Sequence, residues 1–230
     1  MRDIESHNPA AMLLVHRAFR RDFGALPTLF AAVAGTDRRA AARVGAHATE
    51  LLTLLQAHER AEENLVWPVL RTRIDPDARL GDRMRAQHER IDDLASKAEP
   101  ILDRWGRSAD ELDRDELVDL FGRLYVALDE HLDDEEARVL PLAARTLAPA
   151  QWTRVTGAQL DAVRRRRRPI ALARALGDAD VRERHAFLSV IRPADRLAFQ
   201  LFGRRAHHRE LHTLQRLLNQ PTSSTNGEKK

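Results

Sequence analysis

Two segments of the chain carry histidine and glutamate at the same intervals. His58-Glu59-Arg60-Ala61-Glu62-Glu63 closes on Pro68, and His131-Leu132-Asp133-Asp134-Glu135-Glu136 closes on Pro141, so both read H-x3-E-E-x4-P. On a helix, residues four apart lie about 40° apart around the axis, one turn above each other. His58 and Glu62 therefore project the same way, as do His131 and Glu135. His16 and His88 stand upstream. His16 precedes His58 by 42 residues and His88 precedes His131 by 43; the two copies are offset by 72 and 73. A helix pair has been duplicated, and each copy supplies one histidine followed by H-x3-E.

The neighbours say that these side chains face inward. Leu51, Leu54, Leu55 and Leu65 surround His58 at helical offsets, Leu124, Leu128 and Val139 surround His131, and Met84 and Ile91 flank His88. A lone histidine on an apolar face is ordinarily a satisfied core residue. Four in duplicated register, together with two glutamates, are a different case, because a bare buried carboxylate costs several kcal/mol. The cluster asks for a compensating cation. Two metal ions bridged by Glu62 and Glu135 would satisfy it, and an imidazole and carboxylate donor set suits iron.

The elements that must position these residues all read as helices. Stretches at 10–33, about 36–67, about 76–105 and about 108–140 are amphipathic, with Thr36 or Asp37 placed to cap the second. Their lengths of roughly 24–33 residues and short connections predict an all-α, antiparallel four-helix bundle. On the first, Met12, Leu13, His16, Phe19 and Phe23 form one stripe. Beyond Pro141 the pattern loosens into shorter helices at about 149–163, 178–190 and 193–218. The expected organisation is a bundle over 1–147, a helical C-terminal extension over 148–218 and a disordered tail over 219–230.

Composition narrows the classes. The chain has 230 residues, 43% hydrophobic and 32% charged, and no cysteine, which excludes disulfides, zinc-thiolate sites, iron–sulfur clusters and cysteine nucleophiles. No apolar run reaches the roughly 18 residues of a membrane span. The N-terminus lacks the apolar stretch of a signal peptide, so a cytoplasmic protein is expected. The net charge of +3 hides an asymmetry: residues 161–230 carry 16 Lys/Arg against 7 Asp/Glu, and the remainder is acidic.

The pattern H…H-x3-E…H…H-x3-E over roughly residues 7–145 resembles the hemerythrin family, whose bacterial form is called the HHE cation-binding domain. The resemblance implies a non-haem di-iron centre, oxo- or hydroxo-bridged, inside the bundle. By matching position, His16 and His58 would hold one iron and His88 and His131 the other, with Glu62 and Glu135 bridging. Two departures bear on function. The family's oxygen carriers have a histidine one turn after His88, where this chain has Asp92. Their last bridging carboxylate comes five residues after its histidine; here Glu135 stands at four and Glu136 at five, and helical geometry favours Glu135. Glu59 resembles an extra carboxylate ligand of some relatives. A diferric, oxo-bridged pair with two carboxylates carries a charge of +2, which falls to zero if Glu59 and Asp92 also ligate. Extra anionic ligands favour Fe(III). The implied role is a sensor, scavenger or store that meets O2, peroxide or NO, rather than a reversible O2 carrier. A di-iron oxidase or peroxidase and a metal-stabilised interaction module stay open.

Other signals are weaker. Arg164–Arg168 is a five-arginine run without a helix-turn-helix or aromatic-interleaved motif, which argues against nucleic acid. His208 and His212 are spaced i, i+4, but H-x-E-x-H is not a metalloprotease pattern. His47 reads as core or channel lining, His7 as surface and His185 as ordinary. The stripe Leu197, Phe199, Leu201, Phe202, Leu211, Leu214, Leu217 and Leu218 needs a partner, either the bundle or a second copy in a homodimer. Gly203 falls inside it, at a possible kink.

Overall fold

Asp37 opens the second long helix by accepting a hydrogen bond from the Ala40 N–H at 2.9 Å, and Asp110 opens the fourth by accepting from Leu112 and Asp113. Such caps each stabilise by about 1 kcal/mol. A computed structural model describes residues 9–73 and 78–218. In it α1 spans Ala10–Ala31 and α2 spans Arg38–Ala61, running on through a π-helical turn, Glu62–Val66, into Trp67–Arg73. Helix α3 spans Ala78–Ser108. Helix α4 spans Glu111–Asp134 and runs through a second π turn, Glu135–Val139, into Leu140–Thr146. The chain turns from α3 to α4 in two residues, with Ala109 at φ 57°. Helix α1 packs on α2 and α4, and α3 packs on the same two, which closes the four-helix bundle. Expectations for the tail after 218 and for His7 lie outside the described residues.

The π turns correct the expected helix ends. The expected helices end at about 67 and 140, just before Pro68 and Pro141, and a proline has no N–H and a ring that clashes with the carbonyl four residues back. Instead each helix widens by one residue just before its proline: Trp67 N–H bonds to Glu62 O and Leu140 N–H to Glu135 O, each five residues back. The helix then continues for about another two turns. Each π turn begins at one of the duplicated glutamates. Such bulges concentrate at functional sites.

Four further helices follow: α5 at Pro149–Ala162, α6 at Arg168–Ala175, α7 at Val181–Ser189, and α8, which starts at Pro193–Ala198 and passes through a π turn, Phe199–Gly203, into Arg204–Leu218. Helix α6 was not anticipated. Pro169 lies between the helices expected at 149–163 and 178–190, and a proline in the first turn starts a helix, because its missing N–H would be unpaired there anyway. At Gly203 a Cβ would collide with the carbonyl oxygen of Pro169, so only glycine allows α8 this close to α6.

The extension packs on the outer face of α1. Leu14 is buried there with Leu160, Leu172, Phe187, Ile191 and Phe199, while Leu13, assigned to the inner stripe, is 36% exposed. Helix α1 thus has two buried faces. Arg174, only 3% exposed, fastens α6 to the bundle through Asp22 at 3.2 Å and Glu50 at 3.4 Å. The predicted C-terminal stripe divides: Phe199, Leu214 and Leu217 are buried, but Leu197, Leu201, Phe202 and Leu218 are exposed. No described helix is long and apolar enough to cross a membrane.

The bundle's apolar interior comes in two layers. The larger is closed by Phe30, 5.3 Å from Trp105 and 5.1 Å from Phe121 between ring centroids. The smaller gathers Met12, Val66, Trp67, Met84, Val139, Leu140 and Trp152 around the two helix extensions. The duplicated histidines and glutamates lie between them.

Candidate metal centre

Four helices deliver one imidazole each to this polar layer. The rings form two edge-on pairs, His16 with His58 at 5.1 Å and His88 with His131 at 4.5 Å between centroids. The two glutamates stand between the pairs. His58 Nε2 lies 2.9 Å from Glu62 Oε1, and the other Glu62 oxygen lies 3.7 Å from His88 Nε2. Glu135 Oε2 lies 3.3 Å from His16 Nε2 and 3.8 Å from His131 Nε2. Each carboxylate therefore reaches from one histidine pair to the other.

All six side chains present donor atoms to a common space. His16, His58, Glu62 and Glu135 form one group of possible ligands, and Glu62, His88 and His131 another, with the atoms of each group within 4.8 Å of one another. His16 Nε2, His58 Nε2, Glu62 Oε1 and Glu135 Oε2 are buried without a hydrogen-bond partner. Orphaned polar atoms in an interior are costly, and four facing each other mark a place for a cation.

The electrostatics show the same tension. Burial lowers His58 and His131 to about 3, which keeps both imidazoles neutral. Burial also opposes charge on His16, yet Glu135 and Glu136 raise it to about 9. Glu135 goes the other way: burial would raise it, but His16 and then the other imidazoles hold it down at about 2. Glu62, buried and facing Glu135, is pushed well above the usual carboxylate range. Protons here do the balancing that a cation would do.

The outer nitrogens of three of the imidazoles are held as well. His16 Nδ1 lies 2.9 Å from Glu136 Oε1, and Arg20 Nη1 donates to the same oxygen at 2.5 Å. This separates the two candidate glutamates: Glu135 turns inward, and Glu136 supports His16 from behind. His131 Nδ1 faces Gln87 Oε1 at 3.3 Å, and Gln87 Nε2 donates to Asp134, which also accepts from Arg83. His58 Nδ1 faces Gln159 Nε2 of α5 at 3.1 Å. Partners of this kind set the tautomer and orientation of a metal-binding imidazole.

Gln87 and Gln159 were not found from the sequence. Neither belongs to the repeated motif, and Gln159 comes from the extension. The doubled glutamate was the one visible trace of the role of Glu136.

The structure does not bring Glu59 and Asp92 into either group. Burial first, and then the nearby charges of Asp92 and Glu62, raise Glu59 to about 9. Asp92 is exposed. The two copies differ here: the residue one turn after His16 is Arg20, which braces Glu136, whereas the residue one turn after His88 is Asp92. The His88 side is also the more open one, its side chain 13% exposed against 0% for His16.

The other described histidines lie apart from the centre. His208 and His212 stack with centroids 6.4 Å apart on the outside of α8, and His185 is exposed. His47 accepts from Arg174 Nη2 at 3.4 Å, between bundle and extension. The arginine run also divides. Arg167 binds Glu50 and Glu210, Arg168 pairs with Asp161, and Arg164, Arg165 and Arg166 are exposed.

A family model described as the hemerythrin HHE cation binding domain matches residues 8–143, which spans α1 to α4 and all six converging side chains. No curated protein and no solved structure matches the chain.

Proposed function

This chain belongs to the hemerythrin HHE cation-binding family, and we propose that it holds a pair of iron ions with which O2, peroxide or NO interacts. His16 and His58 would hold one ion, His88 and His131 the other, and Glu62 and Glu135 would bridge them. The convergence of six donors, five of them buried and four without a hydrogen-bond partner, carries this reading. Iron in such a site supplies one-electron redox chemistry and a coordination position for a small ligand.

The protein's own residues decide what reaches that position. A cavity of about 70 Å³, lined by Val15, Phe19, Leu54, Leu160 and Leu172, abuts His58 and Gln159. That is far below the roughly 300–1,000 Å³ of a site for an organic substrate, and suits small ligands. This favours a sensor, scavenger or store over an oxidase that acts on a separate substrate.

The same residues argue against a carrier. Asp92 places a carboxylate, not an imidazole, one turn beyond His88, beside Glu59 and on the more open side. Negative charge there favours ferric over ferrous iron, and so oxidation over clean O2 release.

Metal analysis of freshly purified protein, paired with the visible spectrum before and after dithionite, tests the centre. Two irons per chain and a ferric spectrum that bleaches are expected; absence of bound metal after growth and purification with iron defeats the proposal. Repeated cycling between O2 and vacuum with full recovery of the diferrous form would refute the non-carrier part alone.

A further inference from the structure

A wide cavity lies away from the candidate metal centre. It measures about 810 Å³ and opens between α2, the 3-10 turn Arg165–Arg167 and the end of α8. Five arginines line it: Arg43 from α2, Arg164, Arg166 and Arg167 from the turn, and Arg209 from α8. The acidic lining consists of Glu50 and Glu210, and both are already taken. Arg167 donates to Glu50 through Nε at 2.7 Å and Nη2 at 2.5 Å, and binds Glu210 through Nη2 at 3.0 Å and through Nη1. Arg174 adds a further contact to Glu50 at 3.4 Å. His47, at the same wall, is lowered to about 4 by burial and by Arg174, and contributes no charge near neutral pH. The threonine hydroxyls of the lining donate within their own helices, Thr49 to Gly45 O, Thr53 to Thr49 O and Thr213 to Arg209 O.

What remains is directional. The Arg43, Arg164, Arg166 and Arg209 guanidiniums, from three separate segments, line one concavity and have no acidic partner among the described residues. Four like charges around a cleft are repulsive unless an anion joins them, and the guanidinium fork matches phosphate oxygens. Leu54, Val163 and Leu214 supply an apolar patch in the same lining. The volume is that of a site for one small molecule. A nucleic-acid duplex needs instead a basic stripe that tracks its backbone.

We propose that this cleft binds a small polyphosphorylated molecule, a nucleoside triphosphate or a compound of similar charge, with Arg43, Arg164, Arg166 and Arg209 on its phosphates. Arg167 holds the cleft together by tying Glu50 of α2 to Glu210 of α8. Site and ligand class are independent of whether the bundle holds iron.

Calorimetric titration of the full chain with inorganic triphosphate, ATP and adenosine at physiological salt tests this. Triphosphate and ATP should bind in the micromolar range and adenosine should not. Arg164→Glu and Arg209→Glu should each weaken binding by about tenfold or more, with unchanged circular dichroism. Arg165→Glu removes an exposed arginine of the same run that does not line the cavity, and should leave binding intact. The proposal is overturned by no binding of triphosphate at millimolar concentration. Equal damage from Arg165→Glu would reduce the effect to general charge and also overturn it. So would a short DNA duplex that binds more tightly than triphosphate.

Discussion

Gln159 Nε2 lies 3.1 Å from His58 Nδ1, so a side chain of α5, outside the duplicated helices, touches one of the four central imidazoles from behind. With an amide N–H pointing at it, Nδ1 accepts, and the ring proton of neutral His58 sits on Nε2, facing Glu62. A metal ion on Nε2 requires the opposite tautomer, with Nδ1–H donating. Gln159 can meet that demand by a half-turn of its amide that presents Oε1. Glu136 behind His16 and Gln87 behind His131 already present oxygens. Gln159→Leu should therefore weaken metal retention against a chelator by roughly 10–100-fold, and Gln159→Glu should restore it. Equal retention in wild type and Gln159→Leu would show that α5 has no part in the centre.

The six converging side chains are not equivalent to their neighbours. His58→Ala and Glu135→Ala should each cost at least one metal per chain, measured by elemental analysis. Glu136→Ala should keep the stoichiometry and lose only affinity, because Glu136 touches His16 on the side away from the centre. Full metal content in Glu135→Ala together with loss in Glu136→Ala would reverse the assignment of the two glutamates.

Pro68 and Pro141 hold open the π turns that begin at Glu62 and Glu135. Replacing either with alanine supplies the missing N–H and removes the clash with the carbonyl four residues back. Pro68→Ala and Pro141→Ala should leave the metal-free protein at least as stable to heat, yet lower its metal content. A variant that keeps both metals and a normal spectrum would mean that the widened turns do not position the glutamates.

Arg174 is buried with Asp22 and Glu50, and its removal leaves two carboxylates short of their counter-charge. Arg174→Ala should destabilise by about 3–5 kcal/mol in chemical denaturation. A loss under about 1 kcal/mol would show that apolar contacts alone hold the extension to the bundle.

His47 gives a pH dependence of defined sign. Its pKa is lowered by burial and by Arg174, against the opposing pull of Asp22, Glu50 and Glu210, from 6.5 to about 4. As pH falls through that window the unfolded chain takes up a proton that the native chain refuses. Stability therefore drops by up to about 1.4 kcal/mol per pH unit. Glu50, held low despite its burial by Arg167 and Arg174, adds its own loss only at more acid pH. His47→Gln should reduce the slope of the stability profile between pH 6.5 and 4 by this share, while the part from His58 and His131 stays. An unchanged slope would remove His47 as the cause.

Much of this was legible in the residues. The long helices, their inward faces and the meeting of His16, His58, His88 and His131 follow from periodicity and from a repeat in register, both local properties of a chain. The prolines were legible too, but their effect was misread. A proline in isolation stops a helix; one preceded by a widened turn, or placed in a first turn as at Pro169, does not. Which outcome holds depends on the neighbours packed against that stretch.

Helical spacing alone directs these side chains to the centre of the bundle, because it fixes direction without reference to anything distant. What stands behind them is set by the fold. Gln159 reaches His58 across 101 residues and Glu136 reaches His16 across 120, and Asp92 meets Glu59 instead of the central cluster. Contacts at such separations depend on how helices cross and how closely they approach, and those are set by the packing of whole faces, which no local pattern records.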